Sequence, residues 1–320
     1  MTPSEPTIPG PHGLADEGLA RWVAEVRQAA ASGAPPNRVL GAGPLREAAR
    51  RRSASRPRGP GLARVTDMRT DDGLPLRLYR PVLAPRPLVV YLHGGGFVIG
   101  DLDSHDGICR RLARTGDVTV LAVDYRRPPE CPGPAAVDDV VNVCAWAGTR
   151  LSLLGGDPAA GIGLAGDSAG GALAVLAAVR LRGQRPPVPA LLLAYPNADM
   201  TLSQPSIERE GHGWGLEADD LRWFIEQWIP DPRDRSGPAL SPVHADLTGL
   251  PPALVATAGH DPLHDEGELL ARRISDAGGT VTYLPHPGLV HGFLGLAHVS
   301  AAAGRAGDEL FRRFGEIVRG

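Results

Sequence analysis

A serine between glycines is the first feature of this sequence that suggests chemistry. The segment Gly166-Asp167-Ser168-Ala169-Gly170 directly follows an apolar run and opens a helical pattern. A serine held on a tight strand-to-helix turn adopts strained backbone angles, and bulky residues two positions away would clash with the turn. The turn lifts the hydroxyl above the sheet, beside the free N–H groups at the start of a helix. The pattern and its context predict that Ser168 is a nucleophile.

A run of three glycines is the second candidate feature. His93-Gly94-Gly95-Gly96-Phe97 follows another apolar run. Consecutive glycines cost backbone entropy, which is tolerable where the main chain itself approaches a ligand. The N–H groups of Gly94 and Gly95, together with that of Ala169, could converge on an oxyanion formed by attack on a carbonyl. A phosphate-binding loop is the competing interpretation, but no Lys follows and the G-x-G-x-x-G spacing is absent.

A serine hydroxyl is a weak nucleophile without a base and a carboxylate that orients the base. His291 follows the last predicted strand, and Asp261 comes just after a predicted strand, where ligand-facing loops emerge. Rival residues are His286 for the base and Asp265 or Glu266 for the acid. The glycine-containing loop before His291 favours His291, and the two rival acids are better placed to cap the next helix.

Composition argues against several other chemistries. All 33 basic residues are Arg, so the chain has no ε-amine for a pyridoxal Schiff base, a Walker A loop or a Ser–Lys dyad. A net charge of −3 gives no electrostatic case for nucleic acid. The three cysteines form no C-x-x-C pair, and His260, Asp261 and His264 lack a metal-site pattern. We therefore expect no cofactor, no metal and no nucleic-acid partner.

The spacing of apolar residues predicts the elements that position these side chains. Two amino-terminal helices are expected, at 14–31 and near 44–52; six arginines lie between Arg46 and Arg58, interpreted as a solvated helix end and linker. An antiparallel hairpin is expected at 62–69 and 74–80. Then follow apolar runs typical of parallel strands covered on both faces, alternating with helical patterns. The runs are 88–92, 118–123, 162–165, 190–194, 253–256 and 280–284, and the helices 103–115, 134–149, 169–182, 265–277 and 299–318.

The segment between residues 194 and 253 is too long for a simple crossover between strands. It contains a helical stretch at Glu217–Trp228, and we interpret it as an insertion over the carboxyl edge of the sheet. Trp214, Trp223, Phe224 and Trp228 concentrate there. These aromatic residues either pack a helical core or line an apolar pocket from above.

These motifs together resemble the bacterial hormone-sensitive-lipase-like carboxylesterases of the α/β-hydrolase superfamily. The resemblance covers roughly residues 75–315. The motifs that carry it are His93–Asp101, Asp124-Tyr125-Arg126, Gly166–Gly171, Asp261-Pro262-Leu263 and His291-Gly292-Phe293. It implies an α/β-hydrolase fold, with a mostly parallel central sheet, helices on both faces and a helical cap. The expected cap is 1–60 with 197–240, and the expected catalytic domain is 61–196 with 241–320. The Asp before the serine resembles the Gly-Asp-Ser-Ala-Gly subgroup.

The resemblance also implies an activity: a cofactor-independent serine carboxylesterase that forms an acyl-enzyme with small esters of short to medium acyl chain. In that reading Ser168 is the nucleophile, His291 the base and Asp261 its partner. Gly94, Gly95 and Ala169 supply the oxyanion N–H groups.

Four further residues are expected to bind the substrate: Phe97, Asp167, Tyr195 and Trp214. An amidase or a metabolite-specific tailoring hydrolase with the same triad is an alternative function, and a non-catalytic small-molecule receptor is a more distant one. The family implies a possible homodimer. No signal peptide and no apolar segment long enough to span a bilayer is visible, so a cytoplasmic location without membrane contact is expected.

Overall fold

The computed structural model describes residues 13–33 and 35–320; residues 1–12 and 34 of the expected cap lie outside the described residues. The described chain alternates strands with helices. The strands are β1 (Arg64–Arg69), β2 (Pro75–Arg80), β3 (Leu88–Leu92), β4 (Thr119–Val123), β5 (Ile162–Asp167), β6 (Leu191–Ala194), β7 (Ala253–His260) and β8 (Val281–Val290).

The α-helices of the described chain range from single turns to five turns. They are α1 (Glu17–Ala31), α2 (Asn37–Leu40), α3 (Ala42–Ala54), α4 (Asp106–Gly116), α5 (Ala135–Gly148), α6 (Leu151–Leu154), α7 (Ala169–Arg180), α8 (Ser206–Arg209), α9 (Ala218–Trp228), α10 (His264–Asp276) and α11 (Ala301–Arg319). Short 3₁₀ turns occur at Pro232–Asp234, Pro242–His244 and Phe293–Leu296. No helix among these has the length and apolar character that a membrane crossing needs.

The described strands form one eight-stranded sheet in the order β1-β2-β4-β3-β5-β6-β7-β8. The β1–β2 and β2–β4 pairs are antiparallel, and all the other pairs are parallel. The expected hairpin followed by a parallel sheet is therefore confirmed. Parallel pairing brings the carboxyl ends of β5, β6, β7 and β8 to one edge, and the loops that leave this edge carry the candidate catalytic residues.

Alternate residues of each central strand pack into two separate cores. In β3, Leu88, Val90 and Leu92 face a core shared with α5, α7 and α10. Val89 and Tyr91 face a second core shared with α1, α4 and α11. Burial on both sides explains why these strands read as continuous apolar runs rather than as alternating ones.

Strand β8 is longer than the sequence predicts, since it continues past residue 284 to Val290. Pro285 and Pro287 lie within it. A proline cannot donate a ladder hydrogen bond and argues against a central strand, but β8 pairs only with β7 and lies at the edge of the sheet. The extra length carries the chain to His291 at the end of the strand.

Candidate active site

Ser168 occupies the sharp turn between β5 and α7. Its φ of 54° and ψ of −121° lie in a region that L residues rarely adopt. The turn is tight because Gly166 lies against the backbone of Gly170, and Gly170 lies against the carbonyl of Leu92; a Cβ on either glycine would collide with those backbone atoms. The turn is anchored by the Ser168 N–H, which donates to the Ala194 carbonyl at 2.9 Å.

Two loops bring an imidazole and a carboxylate to this serine. The Ser168 hydroxyl donates to His291 Nε2 at 3.0 Å, and His291 Nδ1–H donates to Asp261 Oδ2 at 2.9 Å. The Asp261 side chain is fully buried, and its Oδ1 accepts the backbone N–H of Leu263 at 2.8 Å. The structure thus joins the three expected residues in one hydrogen-bonded chain, the arrangement that activates a serine nucleophile.

The rival residues for acid and base lie elsewhere. Asp265 pairs with Arg209 at 2.8 Å, and the His286 ring packs edge-on against Phe293. Glu266 is fully buried, and burial raises the pKa of its carboxyl to about 8. None of the three is bonded to His291 or Ser168 in the described structure.

Glu266 supports the nucleophile turn indirectly, a role that the sequence analysis missed. Its Oε1 accepts the side-chain amide of Asn197 at 2.9 Å and the N–H of Ala198 at 2.6 Å. The Asn197 N–H in turn donates to the Ser168 carbonyl at 3.1 Å. One signal was available: Glu266 falls on the apolar stripe of α10 with Leu270 and Ile274, where an unpartnered acid would be costly.

The glycine loop requires a correction to the expected oxyanion donors. The N–H of Gly94 donates to Asp167 Oδ1 at 2.9 Å, so this group is already engaged. The N–H groups of Gly95, Gly96 and Ala169 donate to no acceptor in the described part of the chain. Gly95 and Gly96 line the same cavity as Ser168. The free donors are thus Gly95, Gly96 and Ala169, and Gly96 is a residue that the sequence analysis did not assign.

Asp167 is one of the four expected substrate-binding residues, and its carboxylate is occupied by the protein itself. It accepts the Tyr91 hydroxyl at 2.7 Å, and His105 Nε2 lies 3.4 Å away. Burial alone would raise the pKa of Asp167, but His105 and the hydrogen bonds from His105 and Tyr91 bring the pKa below its usual value. Asp167 lines the cavity, and its Oδ1 also accepts the Gly94 N–H, so this carboxylate holds the glycine loop in place.

The other three expected substrate contacts lie outside the cavity lining. Phe97 is buried and stacks on Trp228 with ring centroids 4.3 Å apart. Trp214 is buried and stacks on His260 at 4.1 Å. Tyr195 is buried with its ring edge-on to His291 at 4.9 Å. These three rings pack against other rings of the protein, and the Tyr195 ring packs against the His291 imidazole.

Ser168 and His291 open into a cavity of about 440 Å³. Its floor is formed by the loops at the carboxyl edge of the sheet. Its walls come from the amino-terminal helices and from the inserted segment; their members are Trp22, Asn37, Ala49, Arg52, Ser53, Arg56, Gly215, Leu216, Asp220, Leu221 and Phe224. Of the aromatic residues of the inserted segment, Phe224 lines the cavity, whereas Trp223 and Trp228 pack in apolar cores. Within the described chain, no group of three His, Cys, Asp or Glu side chains could hold a metal ion.

Comparison with known proteins agrees with this fold. A family model described as the alpha/beta hydrolase fold matches residues 89–295. The chain belongs to this α/β-hydrolase family, within which its relatives are carboxylic ester hydrolases.

Particular relatives are similar over most of the chain. Carboxylic ester hydrolase LipN of Mycobacterium tuberculosis (strain ATCC 25618 / H37Rv) is 41% identical to this chain. The match covers 74% of this chain and 65% of the length of LipN. Ethyl acetate hydrolase of Pseudomonas putida is 41% identical over 72% of this chain and 75% of its own length. The solved structure of LAE6, an alpha/beta hydrolase enzyme from the metagenome of Lake Arreo, Spain, is 33% identical. It covers 95% of this chain and 99% of its own, with a TM-score of 0.88. These relatives place the protein in the class of carboxylic ester hydrolases.

Proposed function

We propose that the protein is a serine carboxylesterase that cleaves small esters through an acyl-enzyme on Ser168. The observation that carries the proposal is the hydrogen-bonded chain from Ser168 through His291 to Asp261, at the floor of a cavity. A strained serine with an imidazole 3.0 Å away has both the nucleophile and the base of acyl transfer. The names of the relatives support ester substrates.

In the proposed reaction His291 Nε2 takes the Ser168 proton as the hydroxyl attacks the ester carbonyl. The resulting imidazolium is stabilised by the buried carboxylate of Asp261. His291 then donates the proton to the leaving alcohol as the acyl–serine ester forms. Water enters, gives a proton to His291 and attacks the acyl-enzyme, which releases the carboxylic acid and restores the Ser168 hydroxyl.

We assign the oxyanion donors to the N–H groups of Gly95, Gly96 and Ala169. The charge on the carbonyl oxygen develops only during attack, so donors fixed in advance stabilise the transition state more than the bound ester. Asp167 fixes one end of the glycine loop by accepting the Gly94 N–H, and Asp167 directly precedes Ser168 in the chain. The same carboxylate therefore ties the oxyanion loop to the nucleophile turn.

We also propose the domain division: a helical cap at 1–60 and 197–240 over a catalytic domain at 61–196 and 241–320. Support comes from the cavity walls, to which α1, α3 and α9 contribute Trp22, Ala49 and Phe224. A cavity of about 440 Å³ is near the lower end of the range of roughly 300–1,000 Å³ for ligand pockets. This size supports short to medium acyl chains.

The experiment is a panel of p-nitrophenyl esters from acetate to decanoate, run beside matched p-nitroanilides. We expect the highest kcat/KM among the short and medium esters and little cleavage of the anilides. A pre-steady-state burst of one p-nitrophenol per active site is expected if deacylation is slower than acylation. Preferential cleavage of the anilides would identify an amidase with the same triad, and binding without turnover would identify a receptor.

A further inference from the structure

The arginine-rich stretch Arg46–Arg58 does more than end a helix. Its first members are paired with carboxylates: Arg46 with Glu130 at 2.8 Å and Arg50 with Asp101 at 3.0 Å. Arg51 pairs with Glu47 one helical turn away. Arg52, Arg56 and Arg58 have no carboxylate partner and no side-chain hydrogen bond among residues 13–33 and 35–320. All three are exposed, so their guanidinium groups are available to a ligand.

Two of these arginines lie at the catalytic cavity. Ala49, Arg52 and Ser53 lie on one face of α3, and Arg56 lies two residues beyond the end of this helix at Ala54. All four line the cavity that contains Ser168. Arg58 lines only a neighbouring groove. The carboxyl end of α3 and the segment just after it therefore present two guanidinium groups to the cavity that contains Ser168.

The two guanidinium groups lie close enough to affect each other. Desolvation, and then the charge of Arg52, lowers the pKa of Arg56. Arg56 also contributes, after burial, to the lowered pKa of His298. A guanidinium keeps its charge under such shifts at neutral pH. The result is two neighbouring positive charges that repel each other and that no described carboxylate balances directly.

The acids in the cavity wall do not neutralise this pair. Asp167 is held by Tyr91 and the Gly94 N–H. Burial, and then Glu217, raises the pKa of Asp220 to about 6, and its side chain is bonded to Asn37. Neither acid is paired with Arg52 or Arg56.

Arg56 also marks an opening. The catalytic cavity adjoins a groove of about 910 Å³, and both are lined by Ser53, Arg56, Ser104, Ile108 and Gly295. Most of the other arginines that line the outer groove are paired with carboxylates, for example Arg77 with Asp103 at 2.8 Å, and among them only Arg58 lacks a described carboxylate partner. A substrate extending from Ser168 toward this groove would pass the two unpaired guanidinium groups. Guanidinium groups bind carboxylates through paired N–H donors.

We propose that Arg52 and Arg56 form an anion-binding subsite at the mouth of the catalytic cavity, which selects esters that carry a carboxylate away from the scissile bond. This inference rests on the proposed esterase function and names its substrate class: half-esters of dicarboxylic acids, or esters whose alcohol part carries a carboxylate. The subsite binds the anion while Ser168 attacks the ester carbonyl.

The test compares two pairs of matched esters. One pair places the anion on the acyl side: mono-p-nitrophenyl adipate and its methyl-capped form. The other places it on the alcohol side: para-acetoxybenzoate and its methyl ester. For each pair, the ratio of kcat/KM for the charged ester to that for the capped ester is measured in wild type, in the double variant R52Q/R56Q and in R56K. In at least one pair, the double variant should lower this ratio by roughly tenfold or more, mainly through a higher KM for the charged ester. The R56K variant, which keeps a positive charge, should have a ratio between those of the double variant and wild type.

Arg58→Gln is the matched control, because Arg58 belongs to the same stretch and lacks a described carboxylate partner but does not line the catalytic cavity. Its ratio should stay near that of wild type, and salt should lower the wild-type ratio more than that of the double variant. Equal ratios in wild type and R52Q/R56Q for both pairs, or an equal loss in R58Q, would overturn the subsite while leaving the esterase function intact. Failure of wild type to cleave any of the four esters would instead overturn the esterase function, and the subsite with it.

Discussion

Replacing Asp261 by Asn tests the orientation of the base with almost no change of shape. The two carboxylate oxygens have different partners: Oδ1 accepts the Leu263 N–H and Oδ2 accepts His291 Nδ1–H. An amide has one acceptor and one donor end. The Leu263 N–H is fixed by the backbone and can only donate, so the amide oxygen must face it and the NH₂ must face His291. The imidazole then accepts at Nδ1 and carries its proton on Nε2, where it cannot accept the Ser168 proton.

The expected loss in kcat is about 10⁴-fold, the effect of holding a catalytic histidine in the wrong tautomer. This corresponds to about 5 kcal/mol of transition-state stabilisation. Folding should be little affected, because the Leu263 N–H keeps its acceptor and the volume of the buried side chain is unchanged. KM should change much less than kcat.

The assay is steady-state release of p-nitrophenol from p-nitrophenyl butyrate, with thermal denaturation as the check on folding. Asp265→Asn is the matched control, since Asp265 is an acid four residues away that pairs with Arg209 and His264 rather than with His291. It should keep kcat within a few-fold of wild type. A folded D261N enzyme that keeps more than about a tenth of wild-type kcat would refute the tautomer argument.

Two further predictions concern the glycine loop and the buried acid. Gly96→Ala should lower kcat by roughly 10²-fold, because Gly96 has a φ of +57° and a Cβ there would collide with the Phe224 ring and displace the proposed oxyanion donor. Gly304→Ala is the control, since a Cβ on this helical glycine meets only ordinary contacts. An unchanged kcat in G96A would contradict the assignment of Gly96 as a donor. Burial raises the pKa of Glu266 in the folded protein to about 8, from an ordinary value of 4.5. Between these two pH values folding takes up a proton, so the free energy of unfolding falls as pH rises from 4.5 to about 8. Glu266→Gln removes this titration, so thermal melts should show the variant gaining stability relative to wild type by up to about 1.4 kcal/mol per pH unit between pH 5 and pH 8; a difference independent of pH would contradict the raised pKa.

Local sequence patterns predicted the fold well where both faces of an element are buried. Apolar runs such as Leu88–Leu92 match a strand residue for residue, because burial on two faces leaves no polar position in the run. The amino-terminal helix pattern likewise places Leu19 and Val23 in the core. Strand β8 was cut short, because the prolines within it are tolerated only at an edge position that local sequence does not reveal.

The candidate site also has parts that local sequence predicts and parts that depend on contacts distant in sequence. Ser168, Asp261 and His291 were predicted from their places at strand ends, and parallel pairing brings them together. The free N–H groups of the glycine loop were only partly predicted, because the availability of a backbone N–H depends on which side chain faces it. Asp167 takes the N–H of Gly94, and the sequence alone does not show this.

The substrate-binding residues were the least predictable part of the site. Phe97 and Trp214 have residue types that suit an apolar pocket, yet each found a stacking partner inside the protein. Arg52 and Arg56 were interpreted as part of a solvated linker, because a charge run in sequence does not show which members have partners. The cavity that both arginines line is formed by segments distant in sequence.

Covalent labelling tests the central claim most directly. The protein is incubated with a p-nitrophenyl alkylphosphonate, and the adduct is measured by intact mass and located by peptide mapping, beside the Ser168→Ala variant. One adduct per chain, located on Ser168, with p-nitrophenol released in equal amount and loss of ester hydrolysis, is the expected result. The variant should take up no adduct and lose roughly 10⁴- to 10⁶-fold in kcat. An adduct on another residue, or ester hydrolysis that survives in the variant, would contradict the account.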